Sequence, residues 1–195
     1  SGHGARPDVA VGAAEIMCDT YQQLLRIPSN HHEAAKTCVI SPCVLRSGTR
    51  FNVIPGEAVI EGTIRFMGIE DGAILEERVR HVAEAVAAFH GGTAQVQFTP
   101  VARYPVVNDG KMTAIGREAA EAVGFKHFDM PNSSASDNFA EFLHAFPGYY
   151  CFVGSQPSRP GTSGIHHAPD FDLDESVLPR ISFMFLETAK RLENM

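Results

Sequence analysis

The chain has 195 residues, and 44% of them are hydrophobic, a composition typical of globular proteins that excludes collagen-like and low-complexity chains. The 23 acidic residues outnumber the 16 basic ones, and the basic residues are scattered, so we expect no nucleic-acid binding. No apolar run approaches the roughly 18 residues of a membrane-spanning helix, and no signal-peptide layout is present. We therefore expect a cytoplasmic protein without a membrane partner.

The cysteines offer no metal or redox motif. No two of them form a CxxC pair, which argues against a structural zinc site and against a thioredoxin-like motif. Cys38 and Cys43 lie in one predicted strand and point to opposite faces, so they cannot bridge there. We expect free thiols in a reducing compartment.

The first half of the sequence predicts alternating helices and strands. Apolar residues recur at helical spacing after Asp8, a plausible N-cap, and again before His90. Two β-branched runs have a period of two residues, and the second places Arg65 on its polar face. The predicted elements are a helix at 8–28, strands at 37–45 and 59–67, a helix at 75–90 and a strand at 94–101.

This order becomes the split β-α-β ferredoxin-like unit when one strand is added in front of it. We expect that strand just upstream of Ser1, and we interpret the chain, which starts without Met, as a fragment. An open sheet edge would promote association with another chain.

After a linker at 104–108 the pattern changes. Three amphipathic helices are predicted at 112–123, 139–146 and 178–192. Residues 149–153 form a short apolar run between glycines, typical of a strand buried on both faces. Together they indicate part of a layered α/β domain.

Candidate metal ligands lie in residues 164–175, where the adjacent imidazoles of His166 and His167 precede four carboxylates. Imidazole and carboxylate groups suit a divalent cation. Acidic residues before the last helix are also favoured by the helix dipole alone, so both interpretations stay open.

Three other residues are candidates for binding. His3 lies between glycines that would let its backbone approach a ligand, although a terminal His is often merely solvated. Asn52 lies between two strands, where Asn is a common turn residue. Arg65 could bind a carboxylate or pair with Glu61. The segment 31–33 (His-His-Glu) is interpreted as surface.

No serine-hydrolase elbow, P-loop or dinucleotide motif is present. The motifs that do occur resemble, in order, those of the M20-type metallopeptidases, and within them the amidohydrolases of N-acyl amino acids such as hippurate or indole-acetyl conjugates. The matching segments are 1–7 (SGHGARP), 48–55 (GTRFNVIP), 62–65 (GTIR), Asn108, 136–139 (SDNF) and 167–179 (HAPDFDLDESVLP).

The resemblance implies an α+β chain in which residues 1–103 are a ferredoxin-like lid that forms a homodimer and 104–195 are the C-terminal part of an α/β catalytic domain. It implies two divalent metals, zinc or manganese, with His167 as the last ligand. It also implies that His3 reaches the partner subunit's active site to stabilise an oxyanion. Asn52 and Arg65 would hold the carbonyl or carboxylate of an N-acyl amino acid or small peptide.

The implied activity is metal-dependent amide hydrolysis, although the resemblance covers only the second half of the family pattern. We therefore expect this chain alone to be inactive, with a non-catalytic ferredoxin-like binding module or a degenerate family member as alternatives. The family's Ser-Glu-Asp-Phe motif here contains Asp137 and Asn138 instead of its two acids. We further expect Phe171 to anchor the His167 loop in the core. The His166 imidazole should then point away from the metal ligand and form a hydrogen bond or face solvent.

Overall fold

The structure, a computed structural model, describes residues 1–30, 33–99, 103–131, 133, 136–157 and 159–194. The chain has an α+β fold and divides into two compact units. The first contains Ser1–Pro105 and Ser133–Ala140, and the second contains Val106–Asn132 and Glu141–Met195.

The described residues of the first unit form four strands, all in antiparallel pairs. They are β1 (Gly2–His3), β2 (Cys38–Ser47), β3 (Val53–Ile54) and β4 (Ala58–Phe66). β1 pairs with β3, and β2 pairs with β4 through a register shift between Pro42 and Val44. Gly62 lies opposite Pro42, where a Cβ atom would approach the Ser41 carbonyl oxygen to 2.5 Å. The backbones are therefore too close at this bulge for any larger residue.

The helices of the first unit bury one face of the β2–β4 pair. After a 3₁₀ turn at Pro7–Val9, they are α1 (Ala13–Leu24), α2 (Ile27–Asn30) and α3 (Asp71–Phe89). The core consists of Leu24 and Ile27, Ile40 of β2 and Leu75 of α3. Three side chains of β4 pack against it: Ile60, Ile64 and Phe66. The alternation of β4 thus directs its even-numbered side chains towards the helices.

Two of the ion pairs in the described part of this unit involve α3 or the residue that ends it. Asp71 is buried at the start of α3, and its carboxylate accepts a hydrogen bond from Lys36 Nζ at 2.9 Å, which raises the pKa of Lys36. His90 Nε2 lies 2.8 Å from Asp19 Oδ2 and links the end of α3 to α1. Both contacts orient α3 relative to its neighbours.

The second unit is built on α4 (Gly110–Ala122) and α6 (Val177–Glu193), while α5 (Phe139–Ala145) begins in the first unit. Asp109 caps α4 by accepting a hydrogen bond from the Met112 amide at 2.9 Å. The Tyr149 ring lies against Gly116 of α4, and its hydroxyl lies 2.9 Å from Thr188 Oγ1 of α6. This contact ties the two long helices together.

Two predicted strands are wrong. Residues 94–99 form no strand, because no strand among the described residues pairs with them, and 100–101 lie outside the described residues. Residues 149–153 also form no strand, and Phe152 is 53% exposed. Instead, the Asn108 carboxamide donates a hydrogen bond to the Tyr150 carbonyl oxygen and accepts one from the Tyr150 amide, both at 2.8 Å.

The first helix starts later than predicted. Asp8 does not cap it, because the Asp8 carboxylate binds the Arg6 guanidinium, which lowers the pKa of Asp8. The helix then begins at Ala13, after Gly12. No helix in the described part of the chain is long and apolar enough to cross a membrane.

Candidate functional site

His3 and Asn52 are brought together by the β1–β3 ladder. His3 lies opposite Val53, and the next amide, that of Gly4, donates a hydrogen bond to the Asn52 carbonyl oxygen at 2.8 Å. Both residues are exposed. Two residues 49 positions apart in sequence therefore occupy neighbouring places on one edge of the first unit.

The glycines around His3 have a packing role that the sequence did not reveal. A Cβ atom at Gly2 would lie 2.5 Å from Ala10 Cβ, and one at Gly4 would lie 3.0 Å from the Asn52 carbonyl oxygen. The predicted reason for these glycines, free approach to a ligand, is therefore incomplete. They allow β1 to lie close to its neighbours, which fixes the backbone on both sides of His3.

The two ring nitrogens of His3 have different hydrogen-bonding roles. Its Nδ1 accepts a hydrogen bond from the Ala5 amide at 3.1 Å. Because Nδ1 acts as the acceptor, the neutral ring carries its proton on Nε2, which is then free to donate. The Asn52 carboxamide has no hydrogen bond to any described residue. Both side chains can thus donate to an external oxygen.

Arg65 lies on β4 opposite Val39 and is half-buried. The alternative that it pairs with Glu61 is wrong, because the Glu61 carboxylate binds Arg46 of the neighbouring strand. Among the described residues nothing hydrogen-bonds or pairs with the Arg65 guanidinium. It borders a cavity of about 1140 Å³ in the first unit. A carboxylate in that cavity could bind it through two parallel hydrogen bonds.

His167 has the most unusual backbone of the second unit. Its φ angle is +67°, the one positive value among described residues other than glycine. The surrounding loop is closed by hydrogen bonds from the Ser163 amide to the Asp170 carbonyl at 3.0 Å and from the Asp172 amide to the Ser163 carbonyl at 2.9 Å. Such left-handed residues cost free energy and are often found at functional sites.

The neighbouring His166 packs on Phe171, with ring centroids 5.6 Å apart in an edge-to-face arrangement. Phe171 is 44% exposed, so the expectation that it anchors the loop in the core is wrong. It contacts His166 instead, and His166 and His167 are both exposed.

The carboxylates after His167 are engaged locally. Asp172 forms an ion pair with Arg159 at 3.2 Å, and Asp174 accepts a hydrogen bond from the Ser176 amide at 3.0 Å just before α6. Hydrogen bonding to the Ser176 side chain, and next to its backbone amide, lowers the pKa of Asp174. Within the described ranges no three His, Cys, Asp or Glu side chains converge on a possible metal position. The exposed imidazole of His167 fits a metal as a single ligand, and the described residues do not complete a set of three around it.

Asp137 caps a helix. Its Oδ1 accepts a hydrogen bond from the Phe139 amide at 2.8 Å, and its carbonyl accepts one from Ala140 at the start of α5. The shorter acid of this motif thus still positions the backbone that follows. His31 and His32, interpreted as surface, lie outside the described residues.

Comparisons with known proteins agree with these features. Residues 1–90 match the family model of the peptidase dimerisation domain. N-acetylcysteine deacetylase of Bacillus subtilis is 30% identical over 96% of this chain and 48% of its own length. An IAA-amino acid hydrolase of Arabidopsis thaliana is 25% identical over 97% of this chain and 44% of its own.

Solved structures show the same relationship. A dinuclear metal-binding M20 peptidase of Bacillus subtilis matches with a TM-score of 0.68 and 28% identity, over 92% of this chain and 46% of that one. A tripeptidase of Staphylococcus aureus, at 16% identity, shares the fold with a TM-score of 0.73 over 100% of this chain and 49% of its own. The chain is therefore similar, over nearly its whole length, to amidohydrolases and peptidases of the M20 family, and it spans about half the length of the curated relatives it matches.

Proposed function

We propose that this chain is part of a metal-dependent amidohydrolase that cleaves the amide bond of N-acyl amino acids or small peptides. The observation that carries the proposal is that the β1–β3 ladder places the backbones of His3 and Asn52 in neighbouring positions, with His3 Nε2 and the Asn52 carboxamide able to donate. The relatives named as a deacetylase of N-acetylcysteine and as an IAA-amino acid hydrolase support an amide substrate.

In this proposal His3 and Asn52 stabilise the negative charge that develops on the scissile carbonyl oxygen. His3 Nε2 and the Asn52 amide group donate hydrogen bonds to that oxygen, and donors fixed before the reaction stabilise it without reorganisation. The hydrogen bond from Ala5 to His3 Nδ1 keeps the proton on the donating nitrogen. Arg65 binds the carboxylate of the amino-acid part of the substrate.

His167 is proposed as a ligand of one of two divalent metals, zinc or manganese. A bound pair of such metals supplies an activated water and polarises the substrate carbonyl. The closed loop and the left-handed backbone at His167 hold its imidazole outward, where it can bind through one ring nitrogen. The remaining ligands and the general base are expected outside this chain.

We also propose that residues 1–103 are a ferredoxin-like lid that forms a homodimer, with 104–195 contributing to the catalytic domain. The match of residues 1–90 to the peptidase dimerisation domain supports a self-associating first unit. Sedimentation of residues 1–103 as a dimer would support this assignment, and sedimentation as a monomer at all concentrations would contradict it.

The functional proposal is tested in a protein that joins this chain to the amino-terminal half its relatives possess. We expect hydrolysis of hippurate or an N-acetyl amino acid, lost on chelation. His167→Ala should lower metal content and abolish turnover, whereas the matched control His166→Ala should keep metal content near normal. The reverse pattern would refute the ligand assignment, and substrate binding without turnover in the unsubstituted protein would favour a non-catalytic module.

A further inference from the structure

The turn at residues 50–53 presents a fully exposed phenylalanine. The Arg50 carbonyl oxygen accepts a hydrogen bond from the Val53 amide at 3.4 Å, and this bond closes the turn. Neither central residue of the turn, Phe51 or Asn52, has a positive φ angle. Turns of types II, I′ and II′ need a positive φ, so the hydrogen-bonded turn is of type I. Phe51 and Asn52 therefore occupy its two corner positions.

This turn is held against the strand that carries His3. The Asn52 carbonyl oxygen accepts a hydrogen bond from the Gly4 amide at 2.8 Å, and a Cβ atom at Gly4 would lie 3.0 Å from the same oxygen. His3 lies opposite Val53 in the β1–β3 ladder. Residues directly opposite each other share a face, with Cβ atoms about 4.5–5.5 Å apart. The side chain of Val53 is therefore next to that of His3.

Two exposed apolar side chains flank Asn52 in the sequence. Phe51 is 104% exposed, so its ring packs on nothing in the described part of the chain, and Val53 is 41% exposed. Folding therefore gains no burial from the Phe51 ring, and a ligand that covers the ring would remove its whole apolar surface from water. An aromatic side chain with two torsion angles also loses little conformational freedom when it is covered.

The position of Phe51 distinguishes it from other exposed apolar residues, which are common singly on protein surfaces. Its Cα atom is one trans peptide, about 3.8 Å, from that of Asn52, which is the residue proposed to donate to the scissile carbonyl oxygen. That carbonyl belongs to the acyl group of the substrate, whereas the carboxylate of the amino-acid part is assigned to Arg65 on β4. The part of the substrate next to Phe51 is therefore the acyl group.

We propose that Phe51 and Val53 form the surface that binds the acyl group of the substrate, and that Phe51 makes the site prefer an aromatic acyl group to an acetyl group. This inference rests on the proposed function, because it uses the assignment of His3 and Asn52 to the scissile carbonyl. Small-molecule sites combine apolar and aromatic walls with a few polar groups that fix orientation, as this arrangement does. Phe51 determines specificity here and takes no part in bond cleavage.

The test uses the protein that joins this chain to the amino-terminal half of its relatives, with hippurate and N-acetylglycine as substrates. Both substrates contain glycine, so they differ in the acyl group alone, which is benzoyl or acetyl. The ratio kcat/KM is measured for the unsubstituted protein, Phe51→Ala and Phe51→Tyr. The matched control Phe128→Ala removes a ring that is 79% exposed in the second unit. Chemical denaturation and sedimentation check the folding and association of each variant.

We expect Phe51→Ala to lower kcat/KM by about tenfold or more for hippurate and by less than about twofold for N-acetylglycine, as loss of an apolar specificity contact does. Phe51→Tyr should keep most of the preference for hippurate, because it keeps the ring. Phe128→Ala should keep all of it. The unfolding midpoint of Phe51→Ala should equal that of the unsubstituted protein, because the ring is not buried.

Equal losses for the two substrates in Phe51→Ala, or no loss for either, would overturn the inference and leave the proposed function in place. Equal losses accompanied by dissociation on sedimentation would assign Phe51 to a contact between copies of the chain and would also overturn it. If the unsubstituted protein hydrolysed neither substrate, the proposed function itself would be contradicted, and the inference would fall with it.

Discussion

The two regions that carry the candidate site residues are built in different ways. His3 is held by a strand ladder and by glycines that allow close backbone contacts, so its position follows from long-range pairing. His167 is held by a local loop in which the residue itself takes a left-handed conformation. The position of His3 is stabilised by the surrounding fold, whereas His167 itself retains backbone strain. Substitutions should therefore have opposite effects on stability in the two regions.

The largest effect is expected at Gly2. In Gly2→Ala the new methyl group would clash with Ala10 Cβ, which cannot rotate away. We expect a loss of about 1–3 kcal/mol in the free energy of unfolding, the usual cost of overpacking. Chemical denaturation measures it, with Gly110→Ala as the control, because nothing lies within 4 Å of a Cβ atom there. An unchanged midpoint for Gly2→Ala would contradict the close packing of β1.

A substitution at His167 should change the free energy of unfolding in the opposite direction. Because its φ angle is +67°, His167→Gly should relieve strain and raise the free energy of unfolding by about 1 kcal/mol. His166→Gly is the matched control, since it has no positive φ and loses the contact with Phe171, so it should destabilise. If both variants lost stability equally, the strain at His167 would be disproved.

The effect of Asn108 is expected to be of similar size to that of His167. Its carboxamide donates to the Tyr150 carbonyl and accepts from the Tyr150 amide. Asn108→Asp keeps the acceptor but removes the donor, so we expect a loss of about 1 kcal/mol in unfolding free energy. Asn108→Ala removes both bonds without adding a charge and should also lose about 1 kcal/mol. No loss in either variant would show that the Tyr150 backbone does not depend on this side chain.

The smallest effect concerns the thiols of the first unit. Burial, with a further contribution from the nearby Asp71 charge, raises the pKa of the Cys38 thiol, whereas Cys43 is exposed. Because the thiolate is the reactive form, Cys38 should be alkylated several-fold more slowly than Cys43 at neutral pH. Mass spectrometry of peptides after timed iodoacetamide treatment measures both rates, and equal rates would contradict the burial of Cys38.

The sequence predicts most of the long helices and the strands β2 and β4 well, because hydrophobic period is a local signal. The helix predicted at 75–90 is α3, Asp71–Phe89, and the strand predicted at 59–67 is β4. Residues 94–99 have the composition of a strand, but a strand also needs a neighbour, and composition does not show whether one is present. The same limit applies to residues 149–153, where the backbone of Tyr150 forms hydrogen bonds with the Asn108 side chain rather than with a neighbouring strand.

Within the candidate site, the sequence identifies residue types but not their conformations. Nothing in the sequence predicts the left-handed backbone of His167, since it results from the hydrogen bonds that close the loop. The Gly-His-Gly pattern is visible, yet its packing contacts with Ala10 and Asn52 depend on the β1–β3 ladder. For Asp137 the pattern suggested an altered motif, and the structure shows a helix cap.

The central claim is that His3 acts on the substrate while His167 holds a metal. The most direct measurement determines bound metal and kcat side by side for His3→Ala and His167→Ala, in the protein that joins this chain to the amino-terminal half of its relatives. We expect His3→Ala to keep its metal and to lose at least about 10²-fold in kcat, as removal of an oxyanion donor does. His167→Ala should lose metal together with activity. Metal loss in His3→Ala, or full metal content in His167→Ala, would contradict this division of roles.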